Sequence, residues 1–191
     1  MSQLASAGVD ICPALSDKQL MSAADQIPTY TVAPGCDAAL SSDPIALEIL
    51  RGTTRMLIDV GLTPISEFTL PNGRRADIAA LDRDGTLTIV EIKSSLADFR
   101  CDQKWPEYAD YCDRFFFAVK PDFPRDVLPA ACGLILADRY AAEIVRPAAP
   151  APPLPAARRK VLTLRFGRTA ALRLAAAIDP ALKARSEAKD L

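Results

Sequence analysis

A chain of 191 residues, half of them apolar, has the material for one ordinary domain with a real core, and its net charge of −1 neither favours nor excludes a polyanionic partner. The absence of histidine excludes Ser-His-Asp and Cys-His triads, His-ligated zinc and His-based nucleases. Acid–base work therefore falls to Asp, Glu, Lys, Tyr, Cys or metal-activated water.

Residues 1–41 show no sustained hydrophobic period and read as a mobile N-terminal arm. A domain core over 42–146 is expected to open at Ser42-Asp43-Pro44, a cap followed by Pro at the first helical position. That helix carries Ile45, Ile49, Leu50, Met56, Leu57 and Val60 and stops at Gly61. Strands are predicted over 64–70, 74–82 and 86–93, separated by the turns Pro71-Asn72-Gly73 and Arg83-Asp84-Gly85. Ser94 or Ser95 then caps a helix that must bend or restart at Pro106 and end near Asp113. Phe99 and Trp105 on it are expected in the core. The apolar runs 114–119 and 133–137 suit strands covered on both faces, and a last strand is predicted over 141–145. Five prolines between Pro147 and Pro155 predict a stiff extended linker over 147–157. The segment 158–191 reads as a basic helix and tail, suited either to phosphate contacts or to docking on the domain through Val161, Leu162, Leu164, Phe166, Leu172 and Leu174. The order implies a mixed sheet between helices, an α/β fold: an antiparallel meander followed by a crossover.

Charge is distributed unevenly along this order. Residues up to 60 hold seven acids and three bases, whereas 158–191 hold nine bases and three acids. Five cysteines without a CxxC pair suit reduced, mostly buried thiols in a cytoplasmic protein. No apolar run is long enough to span a bilayer, and no basic-then-apolar stretch at the N-terminus marks a secretory signal.

The second turn fixes a register. A three-residue loop with Gly85 in its left-handed position pairs Asp82 with Thr86, so Asp77 falls opposite Glu91. Their Cβ atoms should then lie about 4.5–5.5 Å apart. Lys93, two residues beyond Glu91, points to the same face, and its own partner is Arg75. The rest of that face is Leu81, Ala79, Leu87 and Ile89. The opposite face, Ala76, Ile78, Ala80, Val90 and Ile92, should be core. Adjacent carboxylates among apolar neighbours repel one another, and a hard divalent cation removes that repulsion. A cross-strand ion cluster, with Lys93 and Arg75 neutralising the two acids, accounts for the same residues.

Asp77 followed by Glu91-Ile92-Lys93 on the next strand resembles the PD-(D/E)xK nuclease superfamily, with Ala76 standing where the motif has proline. The longer stretches 70–77, 90–95, Lys104-Trp105-Pro106-Glu107-Tyr108 and Tyr111-Cys112-Asp113 look like the MmcB family of bacterial DNA-repair proteins. The resemblance spans about 45–174. It implies a restriction-endonuclease-like fold and a deoxyribonuclease, most simply an endonuclease. Asp77, Glu91 and Lys93 would be catalytic. Mg²⁺ or Mn²⁺ would sit on Asp77, Glu91 and the Ile92 backbone carbonyl. It also implies DNA and other repair proteins as partners, and no membrane. A further acid often comes from the first helix in such nucleases, which makes Glu48 a candidate. Glu48 equally suits a solvated charged face shared with Gly52, Arg55 and Asp59. Glu67 on the preceding strand is another candidate, with its facing unset. Arg75, Gln103, Lys104, Arg158, Arg159 and Lys160 are the candidate DNA contacts. A non-catalytic DNA-binding or adaptor module with the same fold is the alternative.

Overall fold

In a computed structural model, Asp43 opens the first helix, α1 (Pro44–Asp59), by accepting the Ile45 amide at 2.9 Å, with Pro44 in the first turn. The structure describes residues 43–182 except Gln103. The expected arm over 1–41, Gln103 and the tail beyond Leu182 lie outside the described residues. α1 ends at Gly61, whose φ of +86° suits glycine, and the Leu62 amide bonds back to the Leu57 carbonyl at 2.8 Å.

Six strands follow: β1 (Thr63–Thr69), β2 (Arg75–Leu81), β3 (Leu87–Lys93), β4 (Arg114–Val119), β5 (Gly133–Ala137) and β6 (Ala142–Arg146). They form one sheet in the order β1-β2-β3-β4-β5-β6, so every strand lies beside its neighbours in sequence. β1, β2 and β3 run antiparallel, β3-β4 and β4-β5 parallel, and β5-β6 antiparallel. This is the mixed, helix-flanked α/β sheet that the element order implied. Between β3 and β4 lie a short helix α2 (Leu96–Cys101) and a 3-10 turn at Trp105–Tyr111, with Pro106 in the first turn of the restart. The last helix, α3 (Ala156–Ile178), starts two residues before its expected first residue, directly after Pro155.

Two apolar layers sandwich the sheet. Ile49, Met56 and Leu57 of α1 pack on Ile78, Val90, Ile92, Phe116 and Ile135. On the other face, Leu162 and Phe166 of α3 join Ile65, Phe68, Leu87, Ile89, Tyr108 and Leu154. Phe99 and Trp105 are part-buried against a third cluster that covers β4 and β5 through Phe117, Phe123 and Leu134. Cys112 and Cys132 are buried free thiols, and Cys101 is a half-buried one. Among the described residues no helix is long and apolar enough to cross a membrane.

Three expectations need correction. Ala76 packs with Phe68 and Leu162, not with Ile78. The cause is Glu67, whose φ of +46° interrupts the alternation of β1. Ile65 and Phe68, three residues apart, then share a face, and the β1–β2 ladder skips Glu67 and the position across from it, Asp77. Second, the Glu48–Gly52–Arg55–Asp59 face of α1 is docked at Gly52, while Arg55 and Asp59 stay exposed. Gly52 is buried against the β5–β6 turn, and a Cβ there would come within 2.1 Å of the Asp138 carbonyl oxygen. Arg55 donates to the Arg139 and Tyr140 carbonyls of that turn. Third, α3 buries only Leu162 and Phe166, while Val161, Leu164, Leu172 and Leu174 are exposed. Its seam is narrow because polar clasps carry the rest. Arg159 grips Asp113, and Arg173 reaches the carbonyls of Ser66 and Glu67.

Candidate active site

The β2–β3 hairpin has the expected register, with Ile78 opposite Val90 and Leu81 opposite Leu87, set by a turn in which Gly85 takes φ +78°. The regular ladder stops at Ile78–Val90. One step further, a side chain replaces backbone pairing: Asp77 Oδ2 accepts the Ile92 amide at 2.8 Å. Asp77 is therefore anchored to strand backbone, which fixes where it points. Glu91 Oε1 stands 3.6 Å from Lys93 Nζ on the same strand.

Burial makes the anchorage costly. Glu91 is 5% and Lys93 3% exposed, on a strand whose seven residues are all buried. Lys93 Nζ stands 3.6 Å from Glu91 Oε1 and hydrogen-bonds Asp102 Oδ2. Asp102 Oδ1 accepts the Lys104 amide at 2.8 Å. Glu91 Oε2 is buried with no hydrogen-bond partner. Burial raises Asp77 to about 6, with the Ile92 bond and Lys93 pulling the other way. Burial also lifts Glu91 well above the ordinary carboxylate range, and the nearby Asp77 adds to it. For Lys93, burial works downward, but Glu91 and Asp102 outweigh it and the ammonium is held above its usual value. Several acids thus surround one base, and one acid oxygen lacks a partner.

Around this core, Tyr108 donates to the Arg75 carbonyl at 3.1 Å, and burial followed by the charges of Glu91, Asp102 and Asp77 raises its hydroxyl. Arg74 makes a two-pronged pair with Glu107 at 2.8 Å on each arm. Arg75 lies 3.6 Å from Glu67 Oε1, an oxygen with no hydrogen bond of its own.

The other predicted residues are placed as follows. Glu48 does not join Asp77 and Glu91. Its two oxygens lie 3.1 Å from Lys120 Nζ and 3.8 Å from Arg139 Nε. Among the described residues no three His, Cys, Asp or Glu side chains are grouped to hold a metal ion. Arg158 bonds the Asp110 carbonyl at 2.7 Å and lies over the Tyr111 ring. Arg159 is bidentate to Asp113 at 2.7 Å and also bonds the Gly85 carbonyl, so it fastens α3 to the domain. Lys160 is exposed, and Lys104 precedes the 3-10 turn. Asp102 is the site residue that the sequence did not point to. Its place depends on where α2 ends, and no periodicity encodes that.

A family model described as DNA repair protein MmcB-like matches residues 33–181. The chain belongs to the MmcB-like family of DNA repair proteins. The MmcB-like match takes in every helix and strand from α1 to α3, and with them the acid pair and Lys93. A solved structure, the SPO1766 protein of unknown function from Silicibacter pomeroyi, is 43% identical with a TM-score of 0.68. The alignment covers 75% of this chain and 94% of that one. No curated protein matches.

Proposed function

We propose that this MmcB-like protein is a divalent-metal-dependent nuclease of the PD-(D/E)xK type that hydrolyses DNA phosphodiesters, as an endonuclease, in repair. One observation carries the reading: half-buried Asp77 and buried Glu91, both with raised carboxyl pKa, meet Lys93 at the end of the β2–β3 ladder, and Glu91 Oε2 has no partner. A structural ion cluster satisfies its members, whereas this one has an oxygen left over.

The donor set fits Mg²⁺ or Mn²⁺. Both acids offer hard oxygens, and such ions are commonly held by one or two carboxylates together with waters and substrate phosphate. Asp77, Glu91 and the Ile92 carbonyl are the residues to hold it. When bound, the ion supplies Lewis acidity toward a phosphoryl oxygen. Lys93 Nζ carries protons that can hydrogen-bond an incoming water or a non-bridging oxygen as negative charge grows on it. The apolar flank of Ala79, Leu87 and Ile89, all buried, keeps bulk water from one side of the site. Lys160, exposed on the acid-free first half of α3, and Arg75 and Lys104 beside the site are suited to backbone phosphates, which position DNA without reading its sequence. Arg158 and Arg159 contribute to that surface as the residues that fasten it.

The test is incubation of purified protein with labelled single-stranded, duplex and branched DNA, with Mg²⁺, Mn²⁺ or EDTA. Metal-dependent cutting is expected, reduced by about 10²–10⁴-fold in Lys93→Ala and Asp77→Asn. Cutting that survives both substitutions would belong to a contaminant. Salt-sensitive binding with no cutting by the wild type would replace the enzyme with a DNA-binding module.

A further inference from the structure

We propose that Asp102 is a positioning residue: its carboxylate fixes the Lys93 ammonium beside Glu91 and links it to the chain at Lys104. The catalytic part of this inference rests on the nuclease reading, whereas the placement of Lys93 stands on geometry alone.

A lysine side chain holds about 2 kcal/mol of rotamer entropy, so an ammonium that must sit at one point needs a partner to keep it there. Glu91 cannot be that partner by itself. Its nearer oxygen is 3.6 Å from Nζ, beyond hydrogen-bonding range. Asp102 makes the hydrogen bond. Asp102 is itself held from two sides. Its other oxygen takes the Lys104 amide at 2.8 Å, and its own amide donates to the Asp98 carbonyl at 3.1 Å.

Chain geometry explains why residue 102 arrives there. Ser95 starts α2 by accepting the Asp98 amide, and the Asp98 carboxylate accepts the Ser94 amide. The helix stops after six residues, and Asp102 leaves it in an extended conformation, φ −87° and ψ 103°. Pro106 soon afterwards prevents the helix from running on. A longer α2 would turn residue 102 away from β3. Asp102 thus joins the strand that carries Lys93 to the segment that carries Lys104, a candidate phosphate contact. It occupies one end of Lys93 and leaves Glu91 Oε2 unpartnered.

The experiment compares wild type with Asp102→Asn, which removes the charge at constant shape, Asp102→Glu, which restores it, and Ser95→Ala, which weakens α2 without touching Lys93. The first readout is the ¹H–¹⁵N spectrum of lysine ammonium groups, with the Lys93 signal assigned by its loss in Lys93→Arg. Burial and the Asp102 bond should protect that signal from exchange. It should vanish in Asp102→Asn, return in Asp102→Glu and persist in Ser95→Ala. A signal unchanged in Asp102→Asn, or lost equally in Ser95→Ala, overturns the proposal. The second readout is DNA cleavage. Asp102→Asn should lower kcat about 10–100-fold with KM nearly unchanged, and Asp102→Glu should recover part of it. Unaltered kcat, or a loss confined to KM, also overturns it. If the wild type cuts no DNA, the nuclease reading fails and the spectrum alone decides the role of Asp102.

Discussion

Strand β3 has a carboxylate cluster at each end, and the two are built on opposite terms. At its start, Asp113 accepts the Leu87 amide, the Leu154 amide and both arms of Arg159 at 2.7–3.1 Å. Burial works to raise Asp113, but Arg159 and the two amides outweigh it and bring the carboxyl down to about 2. At its far end, Asp77 is pushed up to about 6, Glu91 is raised, and an oxygen is left without a partner. The difference separates a satisfied clasp from a cluster with an unsatisfied oxygen. Satisfied charge holds segments together, and unsatisfied charge is kept at a stability cost for a ligand or substrate to complete.

The strongest way to break the contrast is Lys93→Met. It leaves buried acids without their base and should destabilise the protein by about 3–5 kcal/mol at neutral pH. Urea unfolding measures this. A loss below about 1 kcal/mol would mean that the far-end acids are neutral in the resting protein. Next comes Asp113→Ala, expected to cost about 3 kcal/mol by orphaning Arg159 and two amides. Hydrogen exchange should then rise over 154–166 while β2 and β3 stay protected.

A pH series sharpens the comparison because the two ends have opposite signs. Asp113 is depressed, so its contribution is present above about pH 4 and is lost as pH falls through about 2, a change of about 2 kcal/mol. Asp77 is raised, so its contribution is present below about pH 4 and is lost as pH rises through about 6, a change of about 3 kcal/mol. Metal-free thermal melts should therefore peak near pH 4. Asp113→Asn should flatten the acid limb, and Asp77→Asn the limb between pH 4 and 6. The smallest effect is Asp77→Asn at pH 7 without metal. It should raise stability by about 1 kcal/mol while abolishing any stabilisation by added Mg²⁺. Destabilisation by that substitution would instead favour a structural ion cluster.

Local chemistry made much of this readable in advance. The Arg83-Asp84-Gly85 loop admits few geometries, so the register from Ile78–Val90 to Leu81–Leu87 follows by counting, and the runs 114–119 and 133–137 match β4 and β5. The rest depends on contacts distant in sequence. Gly52 looked solvated because nothing near it announces the turn 138–141 that it receives. Glu67 looked ambiguous because its left-handed backbone breaks the two-residue alternation on which facing is judged. Asp102 was passed over because a six-residue helix has too few turns to present a readable face.

The linear strand order carries a consequence for biosynthesis. Each new strand can add to the growing edge of the sheet as it leaves the ribosome, with no later insertion between strands already paired. Asp77, Glu91, Lys93 and Asp102 are all made before α3 emerges to lock onto Asp113. A nascent chain therefore holds this acid–lysine cluster before it holds its fastening.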